Sequence, residues 1–228
     1  LFYIFPLHVL NIEEEPGKRP LMEKSIDHFL SLQGDNCLFK FTGASSLYAA
    51  IGDGNKALSC LNRALEPQAK GPTITPNTLY SEGGWPTFES PISAQRCLLD
   101  MLLQSWAGVI RVFPAFPKAW NEASFWHLRA EGGFLVSACR EGGRTRFVAI
   151  ESLAGEPCRL RTDLPEPIQI AGVPAERLVK KENGILELKL EKGERAVLHA
   201  KGENPPFEIV PQAASFKAEK TWGLPGGK

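Results

Sequence analysis

The period of the hydrophobic pattern changes once along the chain, near Trp106, and that change limits the fold more than any other feature. Before it, apolar residues recur at three- and four-residue intervals, the spacing of helices. After it they alternate, the spacing of strands. A chain of 228 residues with one such switch reads as α+β with two domains. The expected division is a helical part over 1–108 and an antiparallel β-sandwich with a tail over 109–228.

In the helical part, Pro20 suits a first helical position, and Met22, Ile26, Phe29 and Leu30 share one face of a helix that Gly34 ends. A second helix is expected over 44–51 and a third over 56–65, joined at Gly52-Asp53-Gly54. Leu58, Leu61 and Leu65 would be the stripe of the third. A loop rich in Pro, Thr and Gly runs over 67–86. Ser90 is expected as N-cap and Pro91 as first residue of the last helix, with Ala94, Cys97, Leu98, Met101, Leu102 and Ser105 on its buried face.

In the β part, residues 109–113 read as a strand closed by Pro114. Gly132-Gly133 separates the runs 125–130 and 134–140, a hairpin signal, and Gly142-Gly143 leads into 145–152. Asn183-Gly184 and Lys192-Gly193 precede two more apolar alternations. Glu187, Lys189 and Glu191 are expected on a solvated face, and 201–228 carries little pattern.

Composition excludes some functions. Twenty-six basic residues balance 26 acidic ones, which argues against nucleic acid as a partner. No apolar run is long enough to span a membrane. The five cysteines form no CxxC pair, and His8, His28, His127 and His199 match no metal-binding spacing, so neither metal nor cofactor is expected. No P-loop and no GxSxG is present. Residue 1 is Leu, inside an apolar stretch without a basic n-region, and reads as the tail of an element whose beginning is missing.

One loop combines aromatics, glycines and carboxylates: Tyr80-Ser81-Glu82-Gly83-Gly84-Trp85-Pro86-Thr87-Phe88-Glu89. Glu89 precedes a helix start, where negative charge is favoured, so it would stay ionised and suit a general base. Trp85 and Phe88 would offer apolar faces to a sugar ring. The plainer alternative is that Glu89 only complements the helix dipole and the aromatics only pack. Trp85, Trp106, Trp120, Trp126 and Trp222 likewise read as core and interface anchors unless shown otherwise.

The segments Asp100-Met101-Leu102-Leu103-Gln104-Ser105, Val112-Phe113-Pro114-Ala115-Phe116-Pro117-Lys118-Ala119-Trp120 and Leu128-Arg129-Ala130-Glu131-Gly132-Gly133-Phe134 follow each other in an order that resembles the C-terminal part of glycoside hydrolase family 95. That family includes α-L-fucosidases and some α-L-galactosidases, and its pattern there is EMLLQS, then LPALP-x-AW, then GLRARGGF-x-V. The resemblance implies the last helices of an (α/α)6 barrel followed by a C-terminal β domain, with a glycan as substrate. It implies an inverting acid/base mechanism without metal, its two carboxyl groups about 6.5–9.5 Å apart. Aligned on Met101-Leu102-Leu103-Gln104-Ser105, Glu89 falls on the family's Asp of QIDGNFG, although Glu replaces Asp and Ser90-Pro91-Ile92-Ser93 replaces GNFG. The general acid would lie upstream of Leu1, in a missing N-terminal part of the same chain, and Glu82 is a poor substitute. The isolated chain is therefore expected to have little or no hydrolase activity. Relatives are often exported, which points to an extracellular or periplasmic setting. The rival expectation is a non-catalytic carbohydrate-binding or interaction module on the same scaffold.

Overall fold

A computed structural model describes residues 1–32, 37–65, 73–74, 80–82, 85–203 and 207–209. The expected helix stop at Gly34, most of the loop 67–86, and Trp222 lie outside the described residues. The chain divides into two compact units, one of Leu1–Asp100 and one of Met101–Val210. The whole is α+β, with four α-helices and two five-stranded sheets among the described residues.

In the first unit, helix α1 spans Arg19–Ser31 with Pro20 in its first turn. Met22 and Ile26 are fully buried, and Phe29 and Leu30 half-buried, on the expected face. Helix α2 spans Leu38–Ala50 and starts six residues earlier than its pattern suggested. Ten of its residues are buried, so it is covered on nearly every side and has no stripe to read.

Helix α3 spans Gly54–Leu65. Its buried face is Gly54, Ala57, Cys60, Leu61 and Ala64, which corrects the expected stripe: Leu58 and Leu65 are only half-buried. Small residues win this face because they let α2 approach closely, and the Ser45 hydroxyl donates to the Ala57 carbonyl at 2.8 Å. Between the helices, Gly52 adopts φ 76°, and the amides of Gly52 and Asp53 donate to the carbonyls of Ala49 and Tyr48. That is a Schellman ending. The Asp53 carboxylate then caps α3 by accepting the Lys56 amide at 2.9 Å.

The loop expectation over 67–86 is also corrected. It contains strands β1 (Thr73–Ile74), β2 (Tyr80–Glu82) and β3 (Trp85–Pro86) in one small antiparallel sheet. Helix α4 spans Glu89–Leu102, so Ser90 lies inside it rather than capping it. The first turn closes two residues earlier, with the Ile92 amide donating to the Phe88 carbonyl. Cys97, Asp100 and Met101 are buried, while Leu98 is 41% exposed and leaves the expected stripe. Ser105 leaves it too, because it sits on a strand.

The second unit starts its strands earlier than the alternation suggested. They are β4 (Leu103–Trp106), β5 (Val109–Val112), β6 (Ala123–Ala130), β7 (Phe134–Glu141), β8 (Arg144–Ser152), β9 (Pro157–Arg161), β10 (Ile168–Ala171), β11 (Leu178–Lys180), β12 (Leu186–Lys189) and β13 (Arg195–Ala200). One sheet has the order β11-β12-β9-β5-β4 and the other β10-β13-β8-β7-β6. Pairing is antiparallel except between β5 and β9, which run parallel with Ile110 opposite Leu160. Both sheets contribute to one core that includes Ile110, Val136, Ile150, Leu160, Leu188 and Leu198.

Three turns follow the glycines. Gly142 and Gly143 both have positive φ and join Glu141 to Arg144, as a two-residue type I′ hairpin requires. Gly132 and Gly133, and Asn183 and Gly184, also have positive φ. The aromatics of 113–120 form an edge-to-face chain, Phe113 with Phe116 and Phe125, and Phe116 with Trp120. Trp106 is buried, donates to the Gln104 side chain at 3.0 Å and has the Arg111 guanidinium 3.3 Å from its ring centre. Trp106 and Trp120 are therefore packing residues.

Candidate functional site

Glu89 is the first residue of α4 and its side chain is exposed. Among the described residues it makes no side-chain hydrogen bond or ion pair. Its approach is fixed by the strand before it. β3 pairs with β2 so that Ser81 faces Pro86 and Glu82 faces Trp85. The Thr87 amide then donates to the Tyr80 carbonyl at 3.1 Å, and the Thr87 hydroxyl to the Trp85 carbonyl at 3.2 Å. Tyr80 anchors this hairpin, being 4% exposed and accepting the Leu38 amide on its hydroxyl. The strand end and helix start thus present Trp85, Phe88 and Glu89 to solvent within five residues. Trp85 is 77% exposed and Phe88 71%, so neither is spent on packing.

A second carboxyl group is the next requirement for acid/base chemistry. Asp100 is the buried carboxylate of the described residues, on α4 itself. Burial pushes its pKa up, against the pull of Arg96 and a hydrogen bond from Ser46, and the Arg96 Nε lies 2.7 Å away. Eleven residues of helix separate it from Glu89, about 16 Å at the α-helical rise. That is well beyond the spacing of an acid and base pair. Asp27 is held the opposite way. The Tyr48 hydroxyl and then Lys56 keep its carboxyl ionised below the ordinary range. Lys56 also bonds Glu23 at 2.7 Å, so these groups form a clamp joining α1, α2 and α3. Glu89 is thus an exposed carboxylate beside two exposed aromatic faces, and neither Asp100 nor Asp27 is placed as its partner.

His28 is exposed on α1. The His199 ring is 8% exposed and lies against Phe207. No group of three His, Cys, Asp or Glu among the described residues could hold a metal ion. No helix among them is long and apolar enough to cross a membrane. Cys60, Cys97, Cys139 and Cys158 are buried free thiols and Cys37 is half-buried.

Sequence reading passed over one place. In the β6–β7 ladder, Phe125 faces Ala138 and Leu128 faces Val136, so Trp126 and His127 together oppose Ser137. This is a β-bulge. Its only trace in the sequence is a break in alternation at Phe125-Trp126-His127-Leu128.

Comparison with known proteins bears on the second unit. Residues 104–198 match glycoside hydrolase family 95, C-terminal domain, a stretch running from β4 to β13. A solved family 39 glycoside hydrolase from the gut symbiont Bacteroides cellulosilyticus WH2 is similar over 39% of this chain and 18% of its own length, at 22% identity and a TM-score of 0.25. No curated protein matches the chain.

Proposed function

We propose that this chain, whose residues 104–198 match the C-terminal domain of glycoside hydrolase family 95, is part of an O-glycosyl hydrolase acting on α-L-fucosides or related sugars. The family match carries the reading. In it, α1 to α4 are the closing helices of an (α/α)6 barrel, and Glu89 is the general base. Its carboxylate takes a proton from a water molecule as that water attacks the anomeric carbon. A general acid on the opposite face protonates the leaving oxygen, and the anomeric configuration inverts. Trp85 and Phe88 flank the sugar with apolar surface. Glu89 is one methylene longer than the Asp of the family pattern, which moves the base toward the substrate and alters the shape of the subsite.

In this reading the general acid lies upstream of Leu1, as the family resemblance implies. Phe2, Tyr3, Leu7 and Leu21 are each more than half exposed. Exposed apolar side chains of this size suit a surface that further barrel helices cover. The purified 228-residue chain should hydrolyse nitrophenyl α-L-fucoside at background rate. The same chain continued upstream in its reading frame should hydrolyse it, releasing the inverted sugar as seen by proton NMR. Glu89→Gln in that longer protein should lower kcat by about 10²–10⁴-fold. Full activity in the Glu89→Gln protein would remove Glu89 from the mechanism. Sugar binding without turnover by the longer protein would favour a non-catalytic module.

A further inference from the structure

The bulge in β6 does something unusual with two adjacent side chains. Trp126 and His127 are both exposed, although neighbours on a strand normally face opposite sides. Their rings stack with centroids 4.2 Å apart and planes 19° apart. His127 pays for this with a left-handed backbone, φ 53°, a conformation that Cβ makes unfavourable. Its amide donates to the Ser137 hydroxyl at 3.0 Å, and Ser137 is 2% exposed. A buried serine on the neighbouring strand therefore holds the bulge open. On the far side, Glu151 of β8 brings a carboxylate oxygen to 3.8 Å from His127 Nε2. In the ladder, Leu135 of β7 lies between Arg129 and Glu151, and Arg129 is exposed.

One face of the indole thus rests on an imidazole, and Trp126 is 54% exposed. A half-covered aromatic plane, with the Glu151 carboxylate beside its His127 partner and the exposed Arg129 on the same ladder row as Glu151, suits a pyranose. The ring C–H face would lie on the indole, with hydroxyls able to donate to Glu151 and accept from Arg129. Residues held in such a conformation by their surroundings cluster at ligand sites.

We propose that Trp126, His127, Glu151 and Arg129 form a neutral-oligosaccharide platform on the second unit, distinct from Glu89, that holds glycan without cleaving it. The choice of a glycan as occupant rests on the glycosidase reading above. The platform would keep a polymeric or branched substrate on the protein between turnovers.

The test is calorimetric titration of the full chain with fucosyllactose, cellotetraose and xylotetraose, up to ~20 mM because single platforms bind weakly. At least one should bind, and Trp126→Ala should weaken it ~10-fold or more. His127→Gly suits the left-handed backbone, so it should raise the Tm while still weakening binding several-fold. A merely structural role would not give that split. In the upstream-extended protein, Trp126→Ala should leave hydrolysis of nitrophenyl α-L-fucoside unchanged and raise KM for a polymeric substrate. The proposal is overturned if none of the three sugars binds, if Trp126→Ala binds as the parent does, or if binding is lost on Trp85→Ala alone. Hydrolysis and its loss in Glu89→Gln test the glycosidase reading separately, so the two can fail independently.

Discussion

Replacing Ser90 by Ala should stabilise the first unit. The Ser90 side chain is fully buried, and its hydroxyl has no hydrogen-bond partner among the described residues. A buried hydroxyl left unpaired costs about 1–3 kcal/mol in lost hydration. Ala removes that cost and adds about 0.5 kcal/mol of helix propensity, while leaving only a small void. The backbone is untouched, because the Ser93 hydroxyl donates to the Ser90 carbonyl, at 2.8 Å. The expected net gain is about 1–2 kcal/mol, or a few degrees in Tm. Ser93→Ala is the control. It gains the same propensity but loses the bond to Ser90 and one to Thr42 Oγ1 at 2.6 Å, so it should lose about 1 kcal/mol. Urea denaturation followed by far-UV circular dichroism reads both. If Ser90→Ala destabilises as Ser93→Ala does, Ser90 is paired in solution and the account of the α4 start is wrong.

Other expectations concern the rest of the chain. At Gly172, with φ +90°, a Cβ would sit 2.5 Å from the Arg195 carbonyl oxygen, whereas at Gly142, φ +57°, it would meet open space. Gly172→Ala should therefore cost at least about 2 kcal/mol more than Gly142→Ala by chemical denaturation, and equal costs would argue against the close approach of β10 and β13. Burial pushes the thiols of Cys60 and Cys139 up to about 11 and that of Cys158 to about 12. Native Cys158 should resist iodoacetamide at pH 8 by mass spectrometry and react after unfolding. Since its folded pKa lies above the unfolded value of 9.0, its contribution is complete below pH 9 and declines by about 1.4 kcal/mol per pH unit above it. Asp27 works in the opposite direction. Its lowered pKa adds stability above the ordinary Asp range, and this is lost as pH falls through the folded value. Tyr48→Phe should raise the Asp27 pKa in a carboxyl NMR titration and flatten the acid limb of the stability curve, and an unchanged titration would refute the Tyr48–Asp27 bond.

Local signals were legible in the sequence. Glycine pairs announced the β6–β7 and β7–β8 hairpins because positive φ leaves few alternatives. Met22 and Ile26 marked the buried face of α1 because that helix is solvated on its other side. The start of α2 was hidden because Leu38, Phe41, Thr42, Ala44 and Ser45 are all buried and leave no period. The cap of α4 was misplaced because Ser90-Pro91 has the chemistry of a helix start, yet the strand pairing of β3 brings the chain into helix earlier. Strands β9 and β10 passed unread: Pro157 and Arg159 interrupt one, and the other is only half-buried. The exposure of Trp85 and Phe88 was not readable from their spacing, which allowed packing equally well. Nor was the β6 bulge, because it depends on Ser137 in the neighbouring strand.

The parallel pair of β5 and β9 has a kinetic consequence. The meander β6–β8 of the other sheet lies in sequence between Ile110 and Leu160, and the chain then crosses between sheets again at β10, β11 and β13. Neither sheet is a contiguous stretch of sequence, so each needs pairings between distant strands. Closing those distant contacts costs chain entropy before the core repays it. The second unit should fold slowly and all at once, and a ribosome must release nearly all of it before any of it is stable.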